Sequence, residues 1–398
     1  MGLTVGDIGR KENLRKQGKL LIIGIILFAG CMRTPIGMVS PLLSDIEHSL
    51  GVPAVLLGSI TTIPLLCFAL FSPFVPKFGK NFGNERVMFI AVLILAIGNY
   101  LRVFSTTWLL IGTLLVGLAI AVLNVLMPVT VAQEYPRRVG IMTSVYTFSM
   151  TLFSAITSGQ SIALADQIGW QKAMQSVSLL AILGMIFWVP SLKGRHTPKR
   201  TKKTGSSVWK ARGAWYLSIF MGLQSLLFYT TLTWVPSILT AHGIPRGQAS
   251  QLFGLMQLAS LITSYFIPIL AYRLKRERSI ILTMGAGFLL GVGLLIVPTK
   301  SVGSTAMILI VLGLASNMAF SLTMTLFNIK TDTPEQTAQI SGMSQAVGYI
   351  LAAFGPLVFG YLEQLTGSWN IPLMSLLVVI VILTMSGLAV DKRRTIFD

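Results

Sequence analysis

Twelve long apolar runs follow one another along this chain, separated by short polar breaks. They span 19–41, 54–76, 85–104, 107–131, 138–165, 172–190, 213–240, 247–272, 278–298, 304–329, 336–363 and 369–390. A helix needs about 20 apolar residues to cross the hydrocarbon core of a bilayer. Inside that core every backbone N–H and C=O must be paired within the chain, so each run is expected to be a helix. Only 11% of the residues are charged and 53% are hydrophobic, whereas a soluble domain carries roughly 25% charged residues. The expected class is therefore an all-α integral membrane protein with twelve transmembrane helices. The first run does not read as a cleavable signal peptide, because it is too long, contains Arg33 and lacks a small-x-small exit.

The formal net charge is +18, which raises the question of a nucleic-acid partner. The placement of the charge answers it. Of the 31 Lys and Arg residues, 26 lie in the N-terminus, the C-terminus and the even-numbered connections, and three in the opposite loops. That bias puts both termini in the cytoplasm by the positive-inside rule. The basic excess is thus a topology signal, with anionic lipid headgroups as its natural partners, and nucleic acid is not expected. The two cysteines, Cys31 and Cys67, both fall within spans and imply no disulfide framework.

The longest polar interruption is "KGRHTPKRTKKTGSSVWKAR", basic and rich in Ser and Thr, which reads as a linker. It divides the chain into a short N-terminus (1–18), a first six-helix bundle (19–190), the linker (191–212), a second six-helix bundle (213–390) and a C-terminal tail (391–398). The halves look related. "MVSPLLS" ends the first span as "TWVPSILT" ends the seventh, with Pro41 aligned on Pro236. "IMTSVYT" and "ISGMSQAVGY" are matched in the fifth and eleventh, with Met142 on Met343. A repeat of this kind predicts two bundles related by an axis along the membrane normal, with a substrate site between them.

Ionisable residues within a membrane mark function by default. None of the 13 acids and three histidines falls at the centre of a span. No Cys/His pairing suggests a metal, no glycine loop suggests a nucleotide, and no nucleophile–base signature suggests an enzyme. No cofactor is expected. Arg33 is the exception, about 21 Å of helix beyond Lys19. It reads as a cationic fork facing a water-filled cavity and holding an anionic or strongly polar solute. The alternative is an arginine bonded to backbone carbonyls at the break near Pro35. Arg102, at the end of the third span, either snorkels to the interface or forms part of an outer vestibule. Asn124, Tyr146, Gln224, Tyr229, Trp234, Asn317, Gln345 and Tyr349 are further candidates for the cavity wall. Each also has a plain structural reading as helix glue or interfacial belt. The repeat sets Arg33 against position 228, which gives Phe228 beside Tyr229 and predicts a site with a cation on one bundle and aromatics on the other.

Several stretches resemble the cyanate/2-nitroimidazole transporter family of the major facilitator superfamily. They are "CMRTPIGMVSPLL" (31–43), "GNYLRVF" (98–104), "GLAIAVLNVLMPVTVAQEYP" (117–136), "GLQSLLFYTTLTWVPSIL" (222–239) and "GMSQAVGYILAAFGPLVFG" (342–360). The resemblance covers nearly the whole chain. It implies a twelve-helix fold working by alternating access on small anionic or polar solutes, with Arg33 as the substrate-facing cation and Tyr229, Trp234 and Gln345 lining the cavity. It also implies a monomer in the cell membrane. Cys31 departs from it, standing where the family often has Asn, and "PKFGKNFGNER" (76–86) lacks the acid of the usual loop motif. Two functions follow as expectations: a carrier of a small anion, or an exporter of polar aromatic compounds such as nitroimidazoles. A membrane sensor is a remote third, since the chain has only short termini and a short linker.

Overall fold

The computed structural model describes residues 5–135, 138–193, 208–274, 277–299, 301–332 and 334–397. Most of the basic linker lies outside these residues. Among the described residues the chain is helical throughout. The first half holds α1 (Val5–Gly37), α2 (Leu43–Leu50), α3 (Ala54–Phe71), α4 (Val75–Phe82), α5 (Asn84–Leu101), α6 (Thr106–Glu134), α7 (Val139–Ile168) and α8 (Trp170–Trp188). The second holds α9 (Arg212–Ala241), α10 (Arg246–Arg273), α11 (Arg278–Leu295), α12 (Val302–Ile329), α13 (Pro334–Thr366) and α14 (Asn370–Asp391). All but the short α2 and α4 correspond one to one with the expected spans.

Among the described residues ten helices are long and apolar enough to cross a membrane, and the bent pair α3–α4 makes an eleventh. That pair turns through 66° at Ser72–Pro73–Phe74, where Pro73 lacks the N–H a continuing helix needs. The twelfth, α7, carries nine Ser or Thr among its 30 residues. Its hydroxyls are accommodated by bonding back one turn. Thr147 donates to Thr143 O at 2.9 Å, Ser149 to Val145 O at 2.7 Å and Thr157 to Phe153 O at 2.7 Å.

The weak sequence repeat is also a structural one. In the first half α1 packs on α7 and α8, α6 on α3 and α5, and α5 on α8. In the second, α9 packs on α13 and α14, α12 on α10 and α11, and α11 on α14. The two bundles meet along α3–α13 and α7–α10, pairs that the repeat exchanges with each other.

Bundle-to-bundle hydrogen bonds crowd the half of the molecule far from the chain termini. Thr62 donates to Ala353 O at 2.9 Å, and Thr233 to Thr61 Oγ1 at 2.8 Å. Ser161 and Ser250 share a bond of 3.2 Å, and Gln257 Nε2 donates to Ser158 Oγ at 2.9 Å. At the far rim Arg246 pairs with Asp45. This approach requires glycine: a Cβ on Gly58 would lie 2.8 Å from Pro356 O, and one on Gly254 2.9 Å from Ala155 O. The described structure is therefore closed at the far end.

At the near end of the second bundle, buried charges pin the last residues. Lys330 pairs with Glu277 at 3.1 Å and donates to Arg393 O at 3.0 Å. The Glu277 N–H donates to Asp391 Oδ1 at 2.7 Å, and that of Ile396 to Lys330 O at 3.0 Å. Removing one member of a buried ion pair strands the other. Lys330→Met is expected to cost about 3–5 kcal/mol, read as a lower melting temperature in detergent, and Lys330→Met combined with Glu277→Leu to recover most of the loss.

Candidate functional site

A cavity of about 70 Å³ lies between the bundles, near mid-length of α6, α7, α9, α12 and α13 and near the C-terminal ends of α1 and α3. On a scale where one water needs about 10–15 Å³, it has room for a handful of waters or a small solute. The first bundle contributes Met32, Arg33 and Ile36 from α1, Phe68 from α3, Ile120 and Asn124 from α6, and Met150 from α7. The second contributes Gln224, Ser225, Phe228, Tyr229 and Leu232 from α9, Asn317 and Phe320 from α12, and Tyr349 from α13.

Arg33 sits half-buried in this wall. Its guanidinium carbon lies 4.4 Å from the centroid of the Phe228 ring, within cation–π range. No carboxylate lines the cavity among the described residues, so the protein supplies no counter-ion there. Phe228 is the residue that the half-repeat sets against Arg33. Paired positions on α1 and α9 face each other across the bundle interface, which places the cation on one bundle and its aromatic partner on the other.

The remaining polar lining groups divide into used and unused. Asn317 Nδ2 is used: it donates to Ser260 O at 2.6 Å and also bonds Ser264 Oγ, tying α12 to α10. Gln224 is 1% exposed, and its Nε2 donates to Ser225 Oγ at 2.7 Å, while its Oε1 has no partner in the protein. Asn124 and the hydroxyls of Tyr229 and Tyr349 line the cavity too. Five aromatic rings (Phe68, Phe228, Tyr229, Phe320 and Tyr349) surround these groups, and Phe68 meets Tyr349 edge-on at 5.4 Å between centroids.

Six of the ten candidates read from the sequence thus meet in one cavity: Arg33, Asn124, Gln224, Tyr229, Asn317 and Tyr349. The other four stand elsewhere. Gln345 lies one turn nearer the chain termini than Tyr349 and donates to Ser341 Oγ at 2.9 Å. Tyr146 lies one turn before Met150 and packs against the core. Trp234 is 3% exposed and donates to Pro356 O at 2.9 Å. It lines a separate vestibule of about 290 Å³ at the far end, together with Arg246, Glu47 and Glu363.

Arg102 corrects the expectation most. It neither snorkels nor opens onto a vestibule; it is 1% exposed and Nη1 donates to Pro35 O at 2.7 Å. The reason is the end of α1. Past Pro35 the chain tightens, and the Val39 N–H turns to Ile36 O at 3.3 Å. The Pro35 carbonyl is then one of the orphan acceptors of a helix C-terminus, where a cation is favourable. The role considered for Arg33, bonding the backbone at this break, belongs to Arg102. The sequence reading missed the apolar lining residues Met32, Ile36, Phe68, Ile120, Met150, Leu232 and Phe320, because an apolar side chain facing a cavity looks the same in sequence as one facing lipid. It also missed Ser225, a hydroxyl that a helix can bond to itself.

The two arginines should therefore respond differently to loss of charge. Arg102→Leu strands the Pro35 carbonyl and is expected to cost about 1–3 kcal/mol of stability. Arg33→Leu, which breaks no hydrogen bond within the described protein, should melt at or above the wild-type temperature. Thermal unfolding of both purified variants in one detergent checks this.

Comparison with known proteins fits this arrangement. The Major Facilitator Superfamily model matches residues 25–356. The chain is 40% identical to the uncharacterized transporter YycB of Bacillus subtilis, over 97% of each chain. It is 31% identical to the 2-nitroimidazole transporter of Escherichia coli, over 96% of this chain and 98% of that one. It is 20% identical to the cyanate transport protein CynX of Escherichia coli, over 88% and 91%. The crystal structure of a D-xylose–proton symporter superposes with a TM-score of 0.78 at 11% identity, over 94% of this chain and 97% of that one, which shows the fold. The relatives are transporters, not enzymes. This chain is a multi-span membrane transporter and belongs to the Major Facilitator Superfamily.

Proposed function

We propose that this transporter moves a small anionic or polar solute across the cell membrane by alternating access, holding it with Arg33 in the cavity between the bundles. The observation that carries this reading is the guanidinium of Arg33, which lines the cavity with an aromatic face beside it and no carboxylate in the wall. A solute carrying negative charge or strong acceptors completes that pair. Both termini are assigned to the cytoplasm on the 26-to-3 loop bias, and the working unit is taken as a monomer.

The pseudo-symmetric seams support a rocking mechanism. Hydrogen bonds close α3–α13 and α7–α10 in the far half, and the repeat exchanges these seams. Closing the near halves while releasing the far ones turns the cavity to the other side. Solute binding drives that switch only as far as its contacts differ between the two states. With no acid in the cavity wall, the transporter works as a uniporter or exchanger, or its proton rides on the solute.

A second reading, export of polar aromatic compounds, is favoured by the five rings in the wall and by the 2-nitroimidazole transporter among the relatives. Counterflow in proteoliposomes with cyanate, nitrite, small carboxylates and nitroimidazoles separates the two.

Arg33→Ala is expected to leave a folded protein and to weaken solute binding about ten- to a hundredfold, the range of a hydrogen bond to a charged group. Normal counterflow by that variant across the whole panel sinks the assignment. A second prediction addresses the gate. Asp45→Cys with Arg246→Cys, joined by a cleavable thiol cross-linker, should stop transport until the link is reduced. The native Cys31 and Cys67 are buried and leave the chemistry to the new pair.

A further inference from the structure

We infer that Gln224 selects solutes bearing a hydrogen-bond donor, so that the substrate class is small planar rings or anions carrying an N–H or O–H as well as an anionic or acceptor group. This deepens the reading of the cavity given above and rests on it.

The argument starts from what holds the Gln224 amide. Its Nε2 donates to Ser225 Oγ at 2.7 Å and approaches Met221 Sδ at 3.2 Å. Ser225 directs its own hydroxyl toward Met221 Sδ at 3.8 Å, which leaves the oxygen lone pairs of Ser225 facing the amide N–H. The amide nitrogen is thereby fixed on helix α9, and the carbonyl is turned away from it. Gln224 Oε1 is fully buried and accepts nothing from the protein, although its residue lines the cavity.

Buried polar atoms are nearly always bonded, and leaving one unpaired costs more than a typical hydrogen bond gains. Oε1 is an acceptor and nothing else. Arg33, on the facing helix, is a donor and nothing else. The cavity therefore asks for both kinds of group on one solute. A solute that fills the space and offers no donor displaces any water serving Oε1 and leaves the carbonyl stranded. Cyanate and nitrite are such solutes. A ring with an N–H, or a phenol, satisfies both ends and stacks on the aromatic wall.

Two pairs of ring acids of equal charge and nearly equal shape test this. Pyrrole-2-carboxylate and pyrrole-3-carboxylate carry a ring N–H at two different angles to the carboxylate. Furan-2-carboxylate and furan-3-carboxylate replace that donor with an oxygen. Binding of all four is measured by calorimetry on the purified full chain. At least one pyrrole acid should bind the wild type about tenfold or more tighter than its furan partner, the equivalent of one hydrogen bond. In Gln224→Met, close to glutamine in length, and in Gln224→Leu, the ratio should fall to about one, with melting curves confirming that each variant is folded. Equal binding of pyrrole and furan acids by the wild type overturns the inference. So does a ratio that survives in both folded variants. Binding of cyanate or nitrite without either pyrrole acid overturns it too, while the Arg33 assignment stands. Arg33→Ala should weaken all four acids alike, and failure of every anion to bind the wild type overturns the anion reading together with this one.

Discussion

A backbone in hydrocarbon must satisfy its own polar groups, and that constraint orders this molecule. It makes the twelve long segments helical and then decides the fate of the polar side chains on them. Thr and Ser hydroxyls along α7 bond back to carbonyls one turn earlier. Where α1 stops inside the protein, a side chain from another helix takes over: Arg102 caps Pro35 O. Asn99 joins α5 to α8 through Met174 O at 2.7 Å. Among the groups left over are Arg33 and Gln224 Oε1, which have no hydrogen-bonding partner in the described protein and belong to residues of one cavity wall. Arg102 Nε, Thr230 Oγ1 and Ser316 Oγ are also unpartnered but lie outside that wall.

The same packing that builds each bundle leaves the interface between them adjustable. Between bundles, the named hydrogen bonds concentrate in the far half and rest on small residues such as Gly58, Gly159 and Gly254. Under the proposed alternating access, the repeat gives two related bundles two related ways of meeting around one cavity.

Much of this is legible from residues alone. The apolar runs give the long helices to within about five positions, except that α1 begins at Val5, well before its run at 19, and the short strings around Pro41 and Pro236 locate the repeat. Arg33 announces itself as a charge in an apolar run, and the repeat points from it to Phe228. Arg102 is misread because its environment depends on where α1 ends and on which helix then lies beside it. Trp234 looks like a cavity aromatic, yet its N–H is taken by Pro356 O and its ring lies tilted against Trp369 at 5.3 Å between centroids, away from the cavity. Gln345 and Tyr146 are on the right helices but one turn off, a displacement of about 5 Å that no periodicity resolves on a helix polar on more than one face.

The sequence by itself determined the membrane setting and the number of long helices, and it pointed to a two-bundle division and to Arg33 as a charge in an apolar run. These follow from hydrocarbon thickness and the cost of charge, which act on each segment separately. Only the tertiary structure decided which arginine serves the fold and which faces the cavity, and which half of Gln224 is free. Those are questions of partner and direction. A hydrogen bond exists only when another helix brings its partner to about 3 Å, and one chain position does not encode what the facing helix will offer.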